Sequence, residues 1–348
     1  MTPAPIAEAF TAQAMHCANL DSPFLARLCT LLATRDWPVG AIRERIFAWP
    51  GNPSHRADAV PLRLAGALHA LKLQGDAPLT AVYPPHNADD DTLWQAVATA
   101  LTQHASFIDT FIDSPPQTNE VRRAAAVIAA AHWLHARHPL PLRVSELGAS
   151  GGLNLMWDRF ALALPDATLG PADPALTLRP DWTGPVPPQT APQVVDRAGV
   201  DLNPIDPHDP QGALRLQAYL WADQPHRLDL TRAAIAVAAA PVARADAIDW
   251  LATRLPHVPG QLHLIYHTIA WQYFPAAKQA AGRAMIAAAG AAATAESPLA
   301  WFGMEADQNA GGAALTLRLW PGDLTFDLGR ADFHGRWLRW TPPNDTLS

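Results

Sequence analysis

"RVSELGASGGLNL", residues Arg143 to Leu155, decides how this chain is read. A short apolar stretch runs to an acid, Glu146, then through a turn holding Gly148, Gly151 and Gly152, and out into a segment of helical texture. In an open α/β sheet, ligands bind beyond the carboxyl ends of the strands, where the strand order reverses. Glycines in such a turn let the backbone approach a ligand, and the next helix points its free N–H groups at it. Here Gly148 and Gly152 are four apart, and Ser150 stands where a dinucleotide turn has its middle glycine. The dinucleotide pattern is therefore not met. Glu146 argues the same way, because a carboxylate beside the turn repels a pyrophosphate and attracts a cationic amine.

The flanks extend this unit. Upstream, a helix is expected with Thr118 or Asn119 as its cap and Glu120 at the positive end of its dipole. It runs to about Arg137, where Pro139 and Pro141 stop it, and Leu142–Leu147 follows as a buried strand. Downstream, strands are expected at Val194–Leu202, Val242–Ala245 and Leu262–Tyr266, alternating with helices at Pro210–Trp221, Leu228–Ala239, Asp246–Leu255 and Pro275–Ala289. Strands at Leu299–Glu305, Ala314–Trp320, Leu324–Leu328 and Trp337–Trp340 close the chain, two of them joined by the Pro321-Gly322-Asp323 turn. The fold class expected is α/β: a doubly wound, mostly parallel sheet with antiparallel C-terminal strands. Residues 161–193 read as a Pro-rich insertion without clear period. Residues 1–115 read instead as short helices punctuated by Pro, Gly and Asn, an all-helical N-terminal cap domain beside a 116–348 sheet domain.

The bulk composition sets limits. The chain has 348 residues, 49% of them hydrophobic and only 16% charged, with 34 prolines and a formal net charge of −7. A chain of this kind builds a substantial core, and its charge offers nothing to nucleic acid or anionic lipid. No apolar run approaches the roughly 20 residues of a membrane helix, and no basic segment precedes Arg27. A soluble, cytoplasmic protein acting on a small molecule is expected. Its two cysteines, Cys17 and Cys29, support neither a disulfide framework nor a cysteine metal site.

Four segments in order resemble the motifs of class I S-adenosylmethionine-dependent methyltransferases. "ELGASGG" resembles the first-strand motif and "AGVDLNPID" the second. "ARADAIDWL" and "LHLIYHTIAWQYF" resemble the third and fourth. The resemblance implies a Rossmann-like methyltransferase fold with S-adenosylmethionine as cofactor, held by Glu146, Gly148, Ser150, Gly152, Asn154, Asp201, Asn203 and Asp246. In it Asp201 would take the ribose hydroxyls and Asp246 would lie near the adenine. Glu146 and Asp201 are 55 residues apart, against roughly 20 in a compact nucleotide-binding unit. The insertion accounts for the excess, and leaves Asp181 of "PALTLRPDW" as the alternative second-strand acid. From about residue 10 to 340 the chain also resembles an uncharacterised bacterial family, the domain of unknown function numbered 2332. That resemblance rests on "PPQTNEVRRAA", "ELGASGGLNL", "GVDLNPIDPHDP", "HTIAWQYF" and "HGRWLRW", and it implies no substrate.

Further residues carry chemistry of their own. His267, past a buried strand at the presumed catalytic edge, is the candidate general base, with a packed structural histidine as the plain alternative. Trp271, Gln272 and Tyr273 would frame a substrate, or simply pack. Asn119 and Glu120 are either helix caps or substrate contacts. Two further readings stay open: a non-catalytic ligand-binding protein on the same fold, and a metal-assisted hydrolase using Asp206, His208 and Asp209. "GASGG" is not a nucleophile elbow, so Ser150 is not expected to attack a substrate.

Overall fold

A computed structural model of the protein describes residues 2–55, 57–309 and 311–343. The chain divides into two compact units. One comprises residues 1–118 with 208–229, the other residues 119–207 with 230–348.

The first unit is helical, as its punctuation by proline and glycine predicts. Helices Ala4–Asn19, Pro23–Thr34, Val60–Leu73 and Asp90–Gln103 supply most of its core, including Phe10, Leu28, Leu32, Leu64, Leu68 and Val97. Val60–Leu73 is buried on nearly every side, so it shows no one-sided apolar stripe. Three short helices, Ala41–Phe47, Ala77–Val82 and Ala105–Phe111, were not expected from periodicity, because six or seven residues are too few to show one. Residues 208–229 group with these helices although they interrupt the sheet unit in sequence. Their helix, Pro210–Ala218, starts on Asp209, whose carboxylate accepts from Gly212 N at 2.8 Å. Gly66 makes room for Tyr219, since a Cβ there would lie 2.6 Å from its ring.

The second unit is a mixed α/β structure around a large, mostly parallel sheet. In chain order its strands are β1 (Leu142–Leu147), β2 (Phe160–Ala163), β3 (Thr168–Leu169), β4 (Leu176–Leu178), β5 (Asp181–Thr183), β6 (Val194–Asp201), β7 (Val242–Arg244), β8 (Leu262–Thr268), β9 (Leu299–Glu305), β10 (Ala313–Trp320), β11 (Leu324–Ala331) and β12 (Trp337–Trp340). Nine of them form one sheet in the order β5-β12-β11-β10-β9-β8-β1-β6-β7. From β7 to β9 every pair is parallel. β9 to β12 form an antiparallel meander, and β5 adds at the edge parallel to β12.

Two consequences position the site. From β1 the sheet grows outward through β6 and β7, then resumes on the other side of β1 with β8, so the strand order reverses between β1 and β8. The second strand beside β1 is β6, ending at Asp201, whereas Asp181 lies in β5 at the far edge. The 161–193 segment contributes β2, β3 and β4 as a separate three-stranded sheet, besides β5. Strands of two to four residues are too short to show alternation in sequence.

Both faces of the large sheet are covered. On one, helices Ala247–Arg254 and Ala276–Ala291 close a core of Leu147, Ile248, Leu251, Ile265, Ile286 and Trp320. On the other lie helix Ala124–His135 and the segment Leu153–Arg159, where Trp133 meets Phe326 at 4.9 Å between ring centres. The expected helix after the glycine turn is instead a seven-residue 3-10 segment, broken by Met156 at φ −97°, ψ 17°. The helix expected to be capped by Thr118 or Asn119 begins as 3-10 at Val121–Arg123 and becomes α-helical at Ala124; Glu120 caps it instead, accepting from Arg122 N. Among the described residues no helix is long and apolar enough to cross a membrane.

Candidate functional site

The turn after β1 repeatedly enters the left-handed region, with φ of 73° at Gly148, 53° at Ser150 and 71° at Gly152. Such positions are easy for glycine and strained for serine. Gly148 is required twice over, because a Cβ there would also lie 2.5 Å from the Cβ of Ala270 in the turn after β8. The turns that follow the two strands flanking the reversal therefore touch. Gly148→Ala is expected to cost about 2 kcal/mol of stability in urea unfolding, through backbone strain plus displacement of the β8 turn. An unchanged midpoint would show that the close approach is absent.

Every amide of the turn has an acceptor within the protein. Gly148 N and Ala149 N donate to the carbonyl of Val200 at 2.9 and 3.0 Å, and Gly152 N to that of Ala149 at 2.8 Å. Ser150 N donates to Asp201 Oδ2 at 2.9 Å. Gly151 N and Leu153 N both donate to Asn119 Oδ1 at 3.1 Å. The methyltransferase resemblance implies a ribose contact for Asp201; in the structure it is a brace of the turn, with its Oδ1 accepting from Asn203 N at 2.8 Å. Each oxygen keeps lone-pair capacity for one more donor.

Glu146 is the penultimate residue of β1 and is 2% exposed. Burial drives its carboxyl up to about 8, and the nearby Asp201 charge adds to this. A hydrogen bond from the Tyr266 hydroxyl, at 3.4 Å, and the charge of Arg123 work the other way. The same hydroxyl lies 3.1 Å from the carbonyl of Asn154, so β8 ties the acid to the 3-10 segment. The sequence reading passed over Tyr266, although strict alternation along "LHLIYHT" puts it on the face opposite His267.

Among the described residues several buried polar atoms have no hydrogen-bond partner in the protein, and two of them, Ser150 Oγ and Asn154 Oδ1, lie four and eight residues after Glu146. Asn154 is 1% exposed, and its Nδ2 donates to the carbonyl of Glu120 at 3.2 Å. Buried orphans of this kind are rare in folded proteins and call for an explanation. Asn119 and Glu120 join this cluster but are occupied. Asn119 holds the turn, and the Glu120 carboxylate accepts from Arg122 N and Nε at 3.2 and 3.0 Å.

The end of β8 is a packed polar cluster, in which His267 takes the structural place that the sequence offers as the alternative to a general base. His267 is buried, with Nδ1 2.7 Å from Glu305 Oε1 and Nε2 accepting from Trp301 Nε1 at 3.0 Å. Since an indole nitrogen only donates, Nε2 is the ring's acceptor and Nδ1 carries its proton toward Glu305. Both nitrogens are spent inside the protein, so the ring offers no free lone pair to act as a base. The ring also stacks on Trp271 at 5.0 Å and 24°. Glu305 then gathers Ala270 N and Trp271 N at 2.9 and 3.0 Å on Oε1, and Gln272 N at 3.4 Å on Oε2. Burial acts to raise its carboxyl, but His267 and these amides outweigh it and hold it below the usual range. Trp271 is a core residue, Gln272 Oε1 accepts from Ala306 N, and Tyr273 is exposed. The triplet therefore does not line one surface.

Asp246 follows β7 and caps helix Ala247–Arg254 through Ile248 N and Asp249 N at 2.9 and 3.1 Å, and Lys278 lies 3.2 Å from the same oxygen. These bonds hold its carboxyl below the usual range against the burial that acts to raise it. Asn203 Oδ1 accepts from Arg244 at 3.0 Å. Glu146, Gly148, Ser150, Gly152, Asn154 and Asp201 are thus gathered around one turn, while His267, near the end of β8, and Trp271, just after it, sit in a packed cluster. Among the described residues no three His, Cys, Asp or Glu side chains converge as metal ligands, and Asp209 is spent on its helix cap.

The chain belongs to a bacterial family described as "Uncharacterized protein conserved in bacteria (DUF2332)", whose model matches residues 7–340. No curated protein and no solved structure matches it.

Proposed function

We propose that this member of that uncharacterised family is an S-adenosylmethionine-dependent methyltransferase acting on a small-molecule acceptor. The observation that carries the reading is the meeting of Glu146, Asp201 and the glycine turn beside the strand-order reversal, with Asp201 bonded to Ser150 N. Adjacent parallel strands that end in acids around a left-handed turn, at a switch point, match what a nucleoside ligand requires. The donor set fits this cofactor in particular. The turn has no open amide for a phosphate, and the cofactor has no phosphate. Two orphaned oxygens and a neutral carboxyl are present, and a ligand with ammonium and hydroxyl donors would satisfy them.

Asp201 would hold the ribose hydroxyls on its spare lone pairs, and Glu146, Ser150 and Asn154 would face the amino-acid end. When bound, the cofactor supplies an electrophilic methyl group. The protein's part is to position the acceptor in line and to exclude water, which is where most of the rate gain in such a transfer arises. Because His267 has no free lone pair, it positions the β8 turn rather than moving a proton. The two buried free thiols, Cys17 and Cys29, suit the reducing cytoplasm in which we place the reaction. The engagement of both His267 nitrogens favours one second reading, a protein that binds the same ligand without catalysing transfer.

Thermal unfolding with S-adenosylmethionine or S-adenosylhomocysteine tests the proposal. At about 100 times its dissociation constant either ligand adds about 2.7 kcal/mol. The expected outcome is stabilisation of the wild type and none for Asp201→Ala. Absence of binding by calorimetry to the wild type sinks both the methyltransferase reading and the binding-protein reading.

A further inference from the structure

Asn119 lies 32 and 34 residues before the two amides it serves, and it does there what a phosphate oxygen does in nucleotide-binding turns. In those turns successive backbone amides are left open and converge on an anion. Here Gly151 N and Leu153 N converge at 3.1 Å on one atom, Asn119 Oδ1, which is buried with its residue 7% exposed. An amide oxygen has two lone pairs, and both are filled. The neighbouring donor, Ser150 N, is filled by Asp201, and Gly152 N by a backbone carbonyl.

We propose that Asn119 is a built-in anion surrogate: its side-chain oxygen occupies the amide pair that would otherwise hold a phosphate, and so makes the crevice select against phosphate-bearing ligands. It rests on the proposed function only in taking a nucleoside to be the occupant. Asn119 is a positioning and specificity residue and does not touch the reacting atoms. The class of ligand admitted is a nucleoside whose 5′ side carries a neutral or cationic group. Nucleotides are excluded by the lack of open amides.

The test needs no nucleoside, so its failure is distinct from failure of the methyltransferase reading. Asn119→Gly removes the surrogate and frees both amides. Asn119→Asp keeps an acceptor of the same reach. Each is titrated with inorganic phosphate up to tens of millimolar at matched ionic strength, following the unfolding midpoint. Asn119→Gly is expected to start below wild type and to regain about 5 °C in a saturable way, while wild type and Asn119→Asp stay indifferent. A folded Asn119→Gly that ignores phosphate overturns the proposal, as does a wild type that responds equally. If Asn119→Gly does not fold in buffer, Asn119→Ser, whose hydroxyl is too short to reach both amides, is read in the same way. Recovery of either variant only in phosphate supports the surrogate, and failure of both with and without phosphate overturns it.

Discussion

Glu146→Gln is expected to stabilise the protein by an amount that grows with pH, from nothing near pH 4.5 to a plateau above pH 8. The cause is the burial of the acid at the end of β1. In the folded chain its carboxyl is raised to about 8, whereas unfolded it titrates near 4.5. Below 4.5 both states hold the proton and the side chain is indifferent to pH. Between 4.5 and 8 the unfolded chain has lost the proton and the folded chain keeps it, so wild-type stability falls as pH rises. Above 8 the folded chain carries a buried carboxylate and the loss is complete, at most about 5 kcal/mol. Glutamine has the same shape and no proton to lose. Histidines and other acids titrate in both proteins and cancel in the difference. Urea unfolding of both from pH 5 to pH 9 checks this, and a difference that stays flat across that range would mean that Glu146 is solvated.

Under the proposed function, the same acid would tie stability to ligand. Where a cationic amine meets Glu146, the carboxyl gives up its proton, because an opposite charge at close range favours ionisation. Under the proposed function, stabilisation by S-adenosylhomocysteine therefore rises between pH 6 and pH 8 in the wild type and loses that slope in Glu146→Gln. A site that penalises its own acid when empty recovers the penalty when a cation arrives.

How much of this could be read beforehand depended on the length over which a pattern repeats. β1, β9 and β12 lie at the residues expected, because each is a mostly buried segment bounded by a proline or a glycine turn. The glycine turn was legible as well, since Gly148 and Gly152 need left-handed backbone that few residues adopt. β2 to β5 were not, because short strands inside a Pro-rich segment show no period. Long-range partners were illegible for another reason. Nothing local in "QTNEV" says that Asn119 Oδ1 will end on Gly151 and Leu153, and nothing around His267 announces Trp301 or Glu305. Sequence spacing placed acids and glycines near the strand ends, and tertiary pairing decided which other groups each of them meets. His267 is the residue for which that difference matters most.

Removing the carboxylate that pins His267 is the second large effect expected. Glu305→Ala deletes one side chain and strands four donors at once: His267 Nδ1–H and the amides of Ala270, Trp271 and Gln272. Each buried donor left without an acceptor costs about 1–3 kcal/mol, and water reaching the exposed rim at Gln272 recovers part of it. A loss of about 4 kcal/mol is expected by urea unfolding. The packed Trp271 ring and Gln272 Oε1, which accepts from Ala306 N, also hold the turn. Ile269 is β-branched and sits at φ 54°, a conformation that persists only when its surroundings impose it, and its N–H reaches the carbonyl of Met304 at 2.8 Å. Without Glu305 that strain is released and the turn moves, and because Ala270 abuts Gly148 the glycine turn loses its neighbour. Hydrogen exchange should therefore speed up at Ala270 and Trp271 and, through the contact, at Ser150 and Gly151. Glu305→Gln, which keeps one acceptor oxygen for two of the donors, should lose less than half as much. Equal losses in the two variants would show that charge rather than donor count holds the cluster. Faster exchange confined to Ala270–Gln272 would show that the two turns touch without being mechanically linked.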